Sequence, residues 1–110
     1  MGKYELGELQ ELVLLVIGNL GEDAYGLAIR KFLNEKVNRK ISLSAIHSTL
    51  HRLEQKGMVE SSYQKGQSSK RGGRPKLIFT ITASGKSTLE KQRETRNLLW
   101  NGIQLASFKS

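Results

Sequence analysis

The spacing of hydrophobic positions changes several times along this chain, and each change marks an element. From Glu5 to about Asn19, the residues Leu6, Leu9, Leu12, Val13, Val16, Ile17 and Leu20 recur at three- and four-residue intervals. That period predicts a helix with a broad apolar face, buried against more than one neighbour. Glu5 and Glu8 suit the positive end of its dipole, and Gly18, Asn19 and Gly21 end it. A second helix is predicted over roughly 24–38, with Asp23 as N-cap and Leu27, Ile29, Phe32, Leu33 and Val37 apolar. The third, from Ser42 to Gly57, has the clearest boundaries: a serine hydroxyl to cap its start and a glycine to close it in a left-handed conformation. Leu43, Ile46, Leu50 and Leu53 form its buried stripe, which leaves Ser44, Ala45, Ser48, His51, Arg52 and Gln55 opposite and His47 on the flank.

The pattern then shortens. Met58 to Tyr63 alternates weakly, and Leu77 to Thr82 is rich in branched and aromatic residues, so both are predicted strands. Residues 64–74 between them contain no apolar side chain and are expected to form a long, mobile hairpin loop. Thr82 is positioned to cap a last helix running to about Ala106. Leu89 is its only large apolar residue before a terminal cluster of Leu98, Leu99, Trp100, Ile103, Leu105 and Phe108. An exposed helix ending this way predicts a homodimer contact through Leu89, Leu98, Leu99, Trp100 and Ile103. Folding back onto the first helix of the same chain is the alternative.

The expected fold is therefore mainly α (α+β). A helix-turn-helix with a two-stranded wing would occupy residues 1–82, and a C-terminal dimerisation helix residues 83–110 of the same compact unit.

Charge decides what the third helix is for. The 110-residue chain carries a net charge of +8, but residues 1–23 hold one lysine against five acids, leaving 17 basic and five acidic residues in the remainder. Such a balance favours a polyanion, either nucleic acid or an acidic membrane surface. The apolar run from Leu12 to Ile17 is too short for a membrane span and has an acidic upstream flank, so a cytoplasmic chain without a membrane partner is expected. The absence of cysteine excludes disulfides and thiolate chemistry. Between Ser61 and Lys86 lie six basic residues and no acid.

Basic residues on a hairpin, directly after a helix with small polar side chains, predict binding to double-stranded DNA. The base-reading candidates are Ser42, Ser44, Ala45, His47, Ser48, His51 and Arg52. The phosphate or minor-groove candidates are Lys70, Arg71, Arg74 and Lys76, with Tyr25 as a further phosphate contact. Gly72 and Gly73 allow close backbone approach there.

Four stretches carry a family resemblance. They are Leu6-Gly7-Glu8-Leu9; Ala24-Tyr25-Gly26-Leu27-Ala28-Ile29; Ser42 to Leu53 followed by Glu54, Gly57, Met58 and Val59; and Gly72-Gly73-Arg74-Pro75-Lys76 with Phe79, Ile81, Thr82 and Gly85. In this order, over about residues 5–90, the chain resembles the PadR-like family of winged-helix transcriptional regulators. The resemblance implies dimeric DNA-binding proteins, mostly repressors, at operators with two-fold symmetry. It implies base reading by the helix from Ser42, and phosphate or minor-groove contact at Arg74 and its basic neighbours. Members commonly have an aromatic residue followed by proline in that helix, where this chain has His47 and Ser48. The short C-terminal segment resembles the branch of the family that lacks a long helical C-terminal domain.

Two sensing alternatives accompany this reading. His47, His51 and Glu54, at i, i+4 and i+7, offer a transition-metal site. Some family members of this size bind flat apolar ligands between C-terminal helices, which implies a small aromatic effector stacked on Trp100. No nucleophile–base pair and no nucleotide-binding motif is legible, so neither catalysis nor a cofactor is expected.

Overall fold

The computed structural model describes residues 6–64 and 75–109. Helix α1 (Glu8–Leu20) runs into a 3-10 turn over Gly21–Asp23, followed by α2 (Gly26–Lys36) and α3 (Leu43–Gln55). Strands β1 (Val59–Tyr63) and β2 (Leu77–Ile81) form an antiparallel hairpin, with Val59 opposite Ile81 and Tyr63 opposite Leu77. Helix α4 (Ala83–Asn101) follows, then a 3-10 turn over Leu105–Ser107. The mainly helical winged helix-turn-helix expected from the sequence is the observed fold.

The core lies where α1, α2 and α3 meet and the hairpin closes over them. Val13, Leu14, Ile29, Leu33, Ile46 and Leu53 are fully buried, and Met58, Val59 and Phe79 seal the sheet side. The predicted α1 stripe is buried or half-buried throughout, but Leu14 is buried as well, so only Leu15, Gly18 and Asn19 interrupt the enclosure after the first turn. Gly7, in extended conformation, holds the start of α1 at Glu8, and Gln10 Oε1 accepts its N–H at 3.3 Å. Glu5 falls outside the described residues, but Leu6 and Gly7 are not helical, so α1 begins later than the start expected at Glu5.

Helix α2 is shorter than predicted at both ends. Asp23 is not its N-cap; that residue belongs to the 3-10 turn, and the cap position falls on Tyr25 without a side-chain cap. The cause is tertiary. Ala24 is buried and its carbonyl accepts the N–H of Phe79 at 2.9 Å, which pins this segment alongside β2 until Gly26. At the other end Asn38 takes φ +58°, a left-handed value asparagine tolerates, and the Arg39 N–H closes onto the carbonyl of Leu33 at 2.9 Å. Leu27 and Val37, expected in the apolar face, are instead 53% and 39% exposed.

Helix α3 has the expected boundaries. Ser42 Oγ accepts the Ala45 N–H at 3.1 Å. Gly57 sits at φ +75°, its N–H bonded to the Glu54 carbonyl and that of Met58 to Leu53, a pairing that satisfies two end carbonyls at once. Thr82 caps α4 as expected, accepting the Gly85 N–H at 3.1 Å. Helix α4 ends at Asn101 rather than near Ala106, because Gly102 follows, a residue costly to hold in a helix; its N–H is shared between the carbonyls of Leu98 and Leu99. The molecule is elongated, 61 × 29 × 20 Å.

Candidate nucleic-acid interface

Helix α3 presents a continuous polar side. Ser44, His47, Ser48, His51 and Arg52 are all exposed, whereas Ile46, Leu50 and Leu53 anchor the opposite side and Leu43 is half-buried. Thr49 is buried too, and donates its hydroxyl to the Ala45 carbonyl at 2.8 Å, which removes it from the outer face. Two expected contact residues are partly committed elsewhere. Ser42 Oγ serves the cap and lies 3.3 Å from Ser44 Oγ, and Ala45 is half-buried.

The position of His47 depends on α2. A Cβ built on Gly26 would lie 2.8 Å from His47 Cε1 and 3.2 Å from Nε2, a separation real side chains do not adopt. The glycine thus leaves the space in which the imidazole rests, at the junction of the first turn of α2 and the outer face of α3. Beside it, Tyr25 is half-buried, and Lys76 Nζ stands 4.2 Å from the centre of the Tyr25 ring. This cation–π contact fixes an exposed ammonium at the loop end of the hairpin strands, next to the start of α2. Tyr25, His47 and Lys76 thereby join the helix face to the hairpin. Tyr25 was expected only as a phosphate contact, and no local pattern in the sequence marked Gly26 as the residue that makes room for His47. Lys70, Arg71 and Arg74 lie outside the described residues; of the predicted loop only Gln64 is described, and its N–H donates to the Lys76 carbonyl at 2.8 Å.

Other contacts stiffen this face from behind. Ser61 Oγ donates to Glu54 Oε2 at 2.8 Å, tying β1 to the last turn of α3. Lys56 Nζ donates to Gln10 Oε1 at 2.8 Å, joining the end of α3 to α1. Arg39, read from sequence as part of a basic outer side, is paired with Glu8 at 3.1 Å. Hydrogen bonding to and attraction by the guanidinium hold the Glu8 carboxyl below its ordinary pKa, and the same pairing raises that of Arg39. Arg30, Lys31, Lys36 and Lys40 are exposed along α2 and its exit.

The metal alternative finds no support in this geometry. Among the described residues no three His, Asp or Glu side chains converge, and Glu54 is engaged by Ser61.

On α4, Leu98, Leu99 and Trp100 are 71%, 66% and 68% exposed, and Ile103 is 38% exposed. Leu89 differs from the others in the expected dimer set: it is half-buried against the core of its own chain. Weak links hold α4 to α1 short of this cluster. The Leu6 N–H donates to Gln92 Oε1 at 3.2 Å, and Arg96 lies 3.5 Å from Glu11. Among the described residues no single helix is long and apolar enough to cross a membrane, and the apolar side chains of the sharply bent α1–α2 pair supply the core.

Known proteins share this architecture. A PadR family transcriptional regulator from Eggerthella lenta DSM 2243 superposes with a TM-score of 0.64 at 29% identity, covering 86% of this chain and 81% of its own. One from hypervirulent Clostridium difficile R20291 gives 0.61 at 28% identity, covering 82% and 91%. RosR of H. salinarum gives 0.68 at 24% identity, covering 90% and 81%, a likeness of fold. No curated protein matches the sequence. The sequence profile of the PadR-like transcriptional regulators matches residues 13–91, which span all three core helices from the middle of α1, the hairpin and the first half of α4. The chain belongs to the PadR-like family of transcriptional regulators.

Proposed function

We propose that the chain is a cytoplasmic homodimeric repressor that binds a two-fold symmetric DNA operator in a sequence-specific manner. The observation that carries this reading is the exposed polar face of α3, with Ser44, Ser48, His51 and Arg52 free of the core. Side chains of this size allow α3 to lie in the major groove with their polar atoms against base edges. In that placement Tyr25 and Lys76 face the phosphate backbone, and the charge of Arg71 and Arg74, which precede Lys76 in sequence, suits the same partner. Dimerisation is supported by Leu98, Leu99 and Trp100, which stand exposed on one turn of α4 although the core is already closed. Two copies paired through that turn would present their α3 helices to successive major grooves, with half-sites about 10 bp apart.

A small aromatic effector between the paired C-terminal helices is a second reading, supported by the exposure of Trp100. Quenching of Trp100 fluorescence by a panel of flat aromatic compounds tests it, and a silent panel rejects it.

The central test selects duplexes from a random pool with the full chain. Recovery of a palindromic site bound by two chains is expected. Recovery of unrelated sequences, or of none, overturns the reading.

A further inference from the structure

The exit of α3 and the start of α4 are fastened together by contacts that demand particular residues. The Thr82 hydroxyl has two partners: it donates to the Gly57 carbonyl at 2.7 Å and accepts the Gly85 N–H at 3.1 Å. The Thr82 N–H also donates to the Met58 carbonyl at 3.0 Å. Gly85 is buried, and a Cβ there would lie 2.3 Å from the Met58 carbonyl oxygen and 3.0 Å from Ile81 Cγ2. Gly57 and Met58 are themselves held by the closing turn of α3, through their bonds to the Glu54 and Leu53 carbonyls. The segment that leaves α3 and the head of α4 are thus joined through the backbone carbonyls of Gly57 and Met58.

Helix α4 has 19 residues, so it is about 28 Å long. A tilt of about 10° at its first turn would displace its far end by about 5 Å. On DNA, moving one half-site by a single base pair changes the separation by about 3.4 Å and the rotation by about 34°. A small change in the angle at the joint between the exit of α3 and α4 is therefore enough to shift the spacing between two half-sites by about one base pair.

We propose that Thr82 and Gly85 are positioning residues that set which half-site spacing the dimer accepts. They do so by fixing α4 rigidly to the exit of α3, without touching DNA. This inference rests on the homodimer reading above.

Aspartate separates the two roles of Thr82. Its carboxylate still caps α4 by accepting the Gly85 N–H, but it has no proton to donate to the Gly57 carbonyl. Thr82→Ser keeps both roles. The probes are the best duplex selected by the wild-type full chain, the same duplex with its half-sites one base pair closer or further apart, and one isolated half-site.

For Thr82→Asp, the preference for the best spacing is expected to fall by about tenfold while affinity for the isolated half-site stays within about twofold. Thr82→Ser is expected to restore the wild-type profile. Gly85→Ala, which must push α4 away from Met58, is expected to move the optimum to another spacing. An unchanged profile in both Thr82→Asp and Gly85→Ala overturns the proposal. Equal loss on every duplex, the isolated half-site included, also overturns it, because that is the mark of a merely structural role. A wild-type chain that sediments as a monomer and favours no spacing refutes the dimer reading itself, and this proposal with it.

Discussion

His47 rests on Gly26, with no room between them for even a methyl group: a Cβ on the glycine would lie 2.8 Å from the imidazole. This relationship links α2 to the outer face of α3 at the residue where the chain departs from the family's aromatic. It also means that the exposed imidazole packs directly against the backbone of α2. Gly26→Ala is expected to displace His47 and change the preferred DNA sequence. Stability should change by less than about 1 kcal/mol, because alanine is the better helix former and the imidazole is the mobile end of an exposed side chain. Duplex selection by the variant and urea denaturation check the two halves. In Gly26→Ala/His47→Ala the effect on sequence preference should not be the sum of the single changes.

Lys76 is held over the Tyr25 ring at 4.2 Å, beside the start of α2. Lys76→Ala is expected to weaken binding to all duplexes alike and to reduce the slope of log affinity against log salt by about 0.9. Titrations at several salt concentrations measure this. Ser48→Ala should leave the slope alone and alter the ranking of sequences, so the pair separates backbone contact from base reading.

Leu99 and Trp100 stand 66% and 68% exposed near the end of α4. Leu99→Glu places a charge in the proposed dimer contact and is expected to raise the dimer dissociation constant by at least about 30-fold, the effect of losing about 2 kcal/mol. Sedimentation equilibrium reads the change. Because Leu99 contributes nothing to the core, the thermal midpoint at concentrations where both proteins are monomeric should be unaltered.

The Glu8–Arg39 pair ties α1 to the α2–α3 connection at 3.1 Å. The folded-state pKa of Glu8 is depressed, so its contribution is complete above the unfolded carboxylate value and is lost as pH falls through the folded value. Arg39 stays protonated throughout this window. Both groups are open to solvent, so the effect is small and screened by salt. Glu8→Gln should be slightly less stable than wild type at neutral pH and low salt, and indistinguishable from it at a pH low enough to protonate Glu8 in the folded state. Denaturation curves at the two pH values provide the comparison.

Leu50 is 1% exposed at the centre of the α3 stripe. Leu50→Ala is expected to cost about 2–5 kcal/mol, since the transfer energy of the lost groups and the cavity left behind add. Urea unfolding followed by circular dichroism measures it, and DNA binding should fall in step with the folded fraction.

Much of the architecture follows from local chemistry written in the chain. Ser42 and Gly57 bound α3 because capping and left-handed closure need only neighbouring residues, and the same holds for Thr82 at the head of α4. The apolar periods placed Ile46, Leu50 and Leu53 in the core because burial follows helical phase. The polar face of α3 was legible for the same reason, as its complement.

Contacts between distant segments decided the rest. Asp23 has the chemistry of a cap, yet the hydrogen bond between Ala24 and Phe79 keeps the chain extended until Gly26. Leu89 and Leu99 are alike in sequence, and only the packing of α4 against the core distinguishes the half-buried residue from the exposed one. His47 over Gly26, Lys76 over Tyr25 and Thr82 on Gly57 all join residues that lie far apart along the chain. Sequence alone determined which side chains lie on the exposed polar side of α3, because phase and charge are local properties. Their placement relative to one another, and the angle at which α4 leaves the reading helix, depend on long-range packing that no local pattern records.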